Sequence, residues 1–267
     1  MATAIEELRK SAHLSASGIT DFTTCPLLYR FSRIDKLESG FDSAELHFGS
    51  AIHKALERLY RFRMEGKKLF KPELLLEFEA AFMERVLDNP KVRFKDGKDF
   101  ASMLAEGKAL LEVYCEHYPQ EQYKTLFVEE PFSFEVEGVD VPLVGVMDLV
   151  EEDPQGTIII TDWKTAARAY NTVEVDNNIQ LLLYQMAVKQ MGYEDREIIL
   201  KFDVLLKLKT PKLTSYYTTR TEQDEDRFIR KVQMIAKGME HGLYYPTNGN
   251  WKCSYCQYKE TACKNWQ

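Results

Sequence analysis

No run of about 18 apolar residues occurs anywhere in the 267-residue chain, so no segment reads as a membrane-spanning helix and no membrane partner is expected. Met1 to Lys10 mixes acids and bases without an apolar stretch, which does not read as a signal peptide; the expected location is the cytoplasm. Glycine- or proline-rich linkers, internal repeats and low-complexity tracts are missing too, and one domain over 1–267 is the expectation. No Gly-x-x-x-x-Gly-Lys-Ser/Thr loop is present, which excludes an ATP-driven motor within this chain. Positive charge is not in excess: 35 Lys and Arg stand against 42 Asp and Glu, a net charge of −7. That balance argues against a chain basic throughout, but nucleic acid responds to local field rather than total charge. Two basic stretches qualify, Arg58, Arg61, Arg63, Lys67, Lys68 and Lys71, and Lys201, Lys207, Lys209 and Lys212; each reads equally well as a solvated face.

What is there is a globular composition, 45% apolar and 29% charged, enough to bury a core. Ser15 and Ser17 precede a short helical stretch that meets a second one at Cys25-Pro26. Apolar residues at helical spacing predict a helix over 46–64, followed by helices over 72–87 and 100–118. Near Lys124 the pattern changes to strand: 126–128, 132–136, 139–151 and 157–164, with Asp153-Pro154-Gln155-Gly156 as a turn. A helix over 177–191, strands over 198–207 and 215–220, and a helix over 222–241 complete the pattern. The order predicts an α/β fold with a mixed central sheet: a helical part over about 1–122, a sheet core over about 123–220, and a C-terminal helix and cysteine segment over about 221–267.

Chemistry concentrates on two strands. Ile158, Ile160, Asp162 and Lys164 share one strand face, so a carboxylate and an ammonium flank one point. Val144, Val146, Asp148 and Val150 alternate in the same way and set a second acid in an apolar strand. Two acids and a lysine near a hairpin match the needs of phosphodiester hydrolysis: carboxylates bind Mg²⁺ or Mn²⁺, and the lysine serves the attacking water. Gln180 and Tyr184, four apart on a helix, form a candidate substrate clamp.

In order along the chain these elements resemble the PD-(D/E)XK superfamily, and within it the RecB-like exonuclease branch. The resemblance rests on Gly49 to His53, Gly145 to Asp148, Asp162 to Thr165 and Gln180 to Tyr184, and spans roughly 15–265. It implies a restriction-endonuclease-like fold in which His53, Asp148, Asp162 and the Trp163 carbonyl hold the metal. It further implies that Lys164 serves the water and that Gln180 and Tyr184 steady the site. Glu130 is a candidate outer carboxylate.

Five cysteines remain. Cys253, Cys256 and Cys263 lie at the C-terminus, Cys25 supplies a possible fourth ligand, and Cys115 looks spare. Thiolate ligation of zinc or iron explains them better than disulfides in a cytoplasmic chain. The one-plus-three arrangement resembles the iron-sulfur subgroup of RecB-like nucleases, including CRISPR-adaptation nucleases and the AddB-type domain. It implies a 4Fe-4S cluster, with zinc the alternative, clasping the chain ends. The expected function is a metal-dependent DNA exonuclease on single strands or ends, 5′ to 3′ by resemblance, with a helicase, recombination or CRISPR-adaptation protein as partner. The alternatives are a noncatalytic DNA-binding or assembly module and a specific endonuclease.

Overall fold

A computed structural model describes residues 4–118 and 123–266. In chain order the helices and strands are α1 (Ala4–Leu8), α2 (Ala16–Thr24), α3 (Pro26–Tyr29), β1 (Asp42–Ser43), α4 (Ala44–Met64), α5 (Lys71–Val86), β2 (Val92–Arg93) and α6 (Phe100–His117). They continue as β3 (Lys124–Phe134), β4 (Leu143–Glu152), β5 (Ile158–Ala166), α7 (Thr172–Asp176), α8 (Ile179–Val188), β6 (Ile198–Leu206), β7 (Lys212–Thr218) and α9 (Glu222–Glu240). The chain divides into two compact units: residues 1–41, 131–145 and 220–267 form the first, and residues 42–130 and 146–219 the second.

The architecture is mixed α/β, with a five-stranded sheet in the order β3-β4-β5-β6-β7 flanked by helices. β4 and β5 are antiparallel, β5 and β6 parallel, β6 and β7 antiparallel. A parallel neighbour requires a crossover, and here it is α7 and α8. α8 is buried continuously from Leu181 to Val188, as befits a helix laid on the central strands, and Asn178 Oδ1 caps it by accepting from Gln180 N–H and Leu181 N–H. β6 is buried at all but one position because α6 and α8 pack on it and strands pair both its edges.

In the second unit α4 buries one stripe, Ala44, Phe48, Ala51, Ile52, Ala55, Leu56, Leu59 and Tyr60, the spacing of a single helix face. That stripe meets Phe78 and Phe82 of α5, Leu110 and Tyr114 of α6, and Trp163 of β5 in one apolar cluster. In the first unit α2 is capped by Ser15 Oγ, which accepts from Gly18 N–H at 3.2 Å.

The stretch expected as strand over 126–136 forms β3, with Glu129 at φ +48° in its middle. One departure from the sequence expectation is instructive. Lys201, expected on a basic face, is buried in β6 and paired with Asp203 at 3.1 Å, and Lys207 pairs with Glu45, which leaves only Lys209 and Lys212 of that stretch exposed. The physical reason is the alternation of a central strand whose faces are both covered.

Candidate active site

The ladder between β4 and β5 runs from Glu152↔Ile158 to Leu149↔Thr161. The next residue on each strand is an acid, Asp148 and Asp162, and there a side chain replaces a backbone partner: Asp148 Oδ2 accepts the Trp163 N–H at 2.8 Å. Asp162 is fully buried. Lys164, two residues on and thus on the same face, brings Nζ to 2.6 Å from Asp162 Oδ2 and donates to Gln180 Oε1 at 3.1 Å. Gln180 Nε2 in turn donates to the Tyr184 hydroxyl at 2.6 Å. The β5–α8–β6 crossover is what lays α8 against β5 and closes this chain of contacts.

His53 enters from α4. Its Nε2 hydrogen-bonds the Trp163 carbonyl at 2.9 Å, and its Nδ1 stands 3.5 Å from both Asp148 Oδ2 and Glu129 Oε1. The ring lies edge-on to the buried Trp163 indole, 5.7 Å between centroids, which limits how it can turn. One ligand atom each from His53, Glu129 and Asp148 lie within 4.8 Å of one another. Sequence reasoning singled out Glu130; the acid in this group is its neighbour. Two consecutive acids in a strand were the available signal, but which one turns inward depends on the left-handed backbone at Glu129, a conformation uncommon outside glycine.

The site holds more negative charge than its own cations answer. Neither Asp162 carboxylate oxygen has an aligned hydrogen-bond donor, despite the nearby Lys164 ammonium, and Glu129 Oε1 is buried without one as well. Burial, and next the Asp162 carboxylate, push the Asp148 carboxyl above the usual carboxylate range. Burial alone would depress the His53 imidazole, but Asp148, Glu129 and Asp162 outweigh it and raise the ring to about 9. Lys164 behaves likewise: burial opposes its charge, and Asp162 and Asp148 more than restore it. Buried acceptors without donors are costly, and a surplus of hard oxygens beside one imidazole is the donor set that a divalent cation satisfies. These residues fit such an ion.

An open groove of about 580 Å³ reaches the group, bordered by His53, Glu129, Trp163 and Lys164, with Lys54 and Arg85 as further cations. Gly49 lines it, and a Cβ there would meet only Thr165 Oγ1 at 3.9 Å, so the missing side chain leaves the groove open. Gly145 has a different reason to be glycine: the Phe132 ring lies 2.5 Å from where its Cβ would be. Within the first basic stretch, Arg61 pairs with Glu57 and Lys67 with Glu65, while Arg58 lies over the Phe62 ring.

The cysteines are all free thiols. Cys25, Cys256 and Cys263 pack against a small cluster of Leu27, Phe31 and Tyr258, whereas Cys253 Sγ donates to the Thr247 carbonyl at 3.7 Å. Burial raises the Cys263 thiol, and Cys256, Cys25 and Cys253 add to the rise. Four thiolates on one zinc ion at about 2.3 Å would stand roughly 3.8 Å apart. Among the described residues no four-cysteine group forms with sulfurs within 4.8 Å of one another, so the zinc alternative and a closed C-terminal clasp are not built here. Cys115 packs instead against the core of the second unit.

The description of the PD-(D/E)XK nuclease superfamily matches residues 13–264, nearly the whole chain, and the chain belongs to that superfamily. Among solved structures, a proposed exonuclease from Eubacterium rectale aligns at 17% identity with a TM-score of 0.57, covering 100% of this chain and 94% of its own; it supports the fold alone. A second structure, SSO0001, aligns at 15% identity over 96% of this chain and 94% of its own, with a TM-score of 0.31. No curated protein matches the chain. No helix among the described residues is long and apolar enough to cross a membrane.

Proposed function

We propose that this member of the superfamily is a Mg²⁺- or Mn²⁺-dependent deoxyribonuclease of the RecB-like branch, an exonuclease that works 5′ to 3′ on single-stranded DNA or DNA ends in the cytoplasm. The observation that carries the reading is the convergence of the Asp148, Asp162 and Glu129 carboxylates on His53 and Lys164, with Asp162 Oδ1 buried and unpartnered. Asp148, Asp162, His53 and the Trp163 carbonyl would hold the ion, with Glu129 as an additional acid. Once bound, the ion supplies Lewis acidity toward a phosphate oxygen and makes water a better nucleophile at neutral pH.

The chain's own residues do the positioning. Lys164 is held charged by Asp162, so it orients the attacking water and offsets charge on the phosphate as an ammonium rather than acting as a base. Gln180 fixes the Lys164 amine through its carbonyl, and Tyr184 fixes Gln180 through its amide. The Trp163 N–H holds Asp148 in place, so a single residue, Trp163, orients the acid with its N–H and offers its carbonyl to the metal group.

Cleavage of 5′- and 3′-labelled single-stranded DNA with Mn²⁺ or Mg²⁺, alongside Lys164→Ala, tests this. Metal-dependent ladders that vanish in the variant support the reading, and the label that shortens first gives the polarity. A folded protein that binds Mn²⁺ and DNA yet cleaves neither substrate would point instead to a noncatalytic DNA-binding or assembly module of a recombination, repair or CRISPR-adaptation complex; for the active nuclease the proposed partner is a helicase, recombination or CRISPR-adaptation protein that supplies the strand. A 4Fe-4S cluster on Cys25, Cys253, Cys256 and Cys263 belongs to the same proposal. Its support is that three of the thiols share one apolar cluster and that Cys256, Cys25 and Cys253 each raise the Cys263 thiol.

A further inference from the structure

The chain has three tryptophans, and they are used in opposite ways: Trp163 is fully buried, whereas Trp251 is 68% and Trp266 41% exposed. Tyr255, four residues after Trp251, is 77% exposed, and Tyr245 51%. Scattered apolar side chains on a surface need no explanation, but four exposed aromatic rings between residues 245 and 266 are a concentration of one chemical type. The same stretch carries three lysines against one acid, Glu260: Lys252 is paired with Asp21 and Lys259 lies 3.9 Å from Glu260, which leaves a net positive charge on the stretch with Lys264.

The backbone under Trp251 is pinned on both sides. Asn250 Nδ2 donates to the Thr24 carbonyl at 3.3 Å and to the Thr247 carbonyl at 2.8 Å, while its Oδ1 accepts the Lys252 N–H at 2.8 Å. Thr247 Oγ1 donates to the same Thr24 carbonyl, and Lys252 is ion-paired with Asp21. Further along, the Tyr258 hydroxyl donates to the Leu37 carbonyl at 3.0 Å. Polar handles thus anchor the turn, and its rings are left in water on a fixed mount. Ordering costs that would oppose binding are already met.

We propose that the turn from Trp251 to Tyr255 is a base-stacking surface for single-stranded nucleic acid. Every base has an aromatic face, so ring-on-ring contact is sequence-tolerant, and the stretch's net positive charge, Lys264 included, favours the phosphate backbone. Duplex DNA, whose bases are already stacked on one another, offers such rings no face. The proposal rests on the nuclease reading for its choice of ligand, and it assigns that reading a substrate form: an unpaired strand.

The test measures binding of a fluorescent oligothymidylate and of a hairpin-capped duplex of equal length by anisotropy, in the full chain carrying Lys164→Ala so that nothing is cleaved. Trp251→Ala is expected to weaken single-strand binding about fivefold or more, the low end of one base-stacking contact. Trp251→Phe should retain most of the affinity and the duplex should be indifferent to either. Unchanged single-strand affinity in Trp251→Ala and in Trp251→Ala/Tyr255→Ala overturns the inference, as does an equal loss on duplex. Sedimentation that shows the wild type dimeric and the double variant monomeric also overturns it, in favour of a second copy as occupant. Hydrolysis of thymidine 5′-p-nitrophenyl phosphate with Mn²⁺, too small to need the turn, reports on the catalytic reading separately, so either idea can fail without the other.

Discussion

Glu151 gives the most quantitative test of the electrostatics in the sheet core. It lies on β4 with 5% of its surface exposed, near Lys201 and Asp203. Lys201, however, is taken: its amine is 3.1 Å from Asp203 Oδ2 and 3.2 Å from the Tyr118 hydroxyl. Burial therefore dominates, and although Lys201 and Arg63 pull the other way, the Glu151 carboxyl is pushed up to about 7 from an ordinary 4.5. In the unfolded chain it titrates normally, so the folded state binds the extra proton between those values. Stability from the neutral acid is then full below pH 4.5 and is lost as pH rises through about 7, a change of about 3 kcal/mol. Glu151→Gln keeps the shape and removes the titration. Urea unfolding in EDTA at several pH values from 5 to 8 should give a wild-type midpoint that falls across the range more steeply than the variant's. At pH 8 the variant should be the more stable by up to about 3 kcal/mol, and near pH 5 the two should converge. Asp148 titrates in both proteins, so the difference isolates Glu151. Parallel curves, or a variant less stable at pH 8, would refute the reasoning and mean that an ionised Glu151 is paired with Lys201.

Three further outcomes are expected. Glu129→Gln and Asp162→Asn should each weaken Mn²⁺ binding measured by calorimetry at least tenfold, or about 1.4 kcal/mol; undiminished affinity would remove these acids from the metal group. Gly145→Ala should lower the urea midpoint by about 1–3 kcal/mol, because a methyl group would overlap the Phe132 ring, and adding Phe132→Leu should recover part of the loss. Anaerobically purified protein should carry iron and visible absorbance that Cys256→Ala abolishes; bound zinc, or neither metal, would end the cluster proposal.

Much of the fold was legible because its signals are local. The stripe of α4, the alternation of β4 and β5, the Asp153-Pro154-Gln155-Gly156 turn and the cap at Ser15 follow from neighbours within a few residues, where periodicity and turn chemistry act. Asp162 and Lys164 were legible as candidates because charged groups in an otherwise apolar strand need a partner, and Gln180 and Tyr184 because they lie four apart on a helix just downstream of that strand. Glu129 was not, since its inward turn depends on a backbone angle that no residue type at that position announces. Lys201 was misplaced because a lysine's burial depends on what covers its strand, and the cover comes from α4 and α6, far away in sequence.

By itself, then, the sequence determined the longer helices and strands and which residues are chemically out of place in them, because both depend on patterns a few residues long; the short α1, β1, β2 and α7 carry too few residues for such a pattern. Only the tertiary structure decided which of those residues meet. The parallel pairing of β5 with β6 forced a crossover that laid Gln180 on Lys164, the opening of the β4–β5 ladder gave the Trp163 N–H to Asp148, and the left-handed turn at Glu129 added an acid to His53. Contacts between residues far apart in sequence are fixed by closing the whole chain, and no local pattern encodes them.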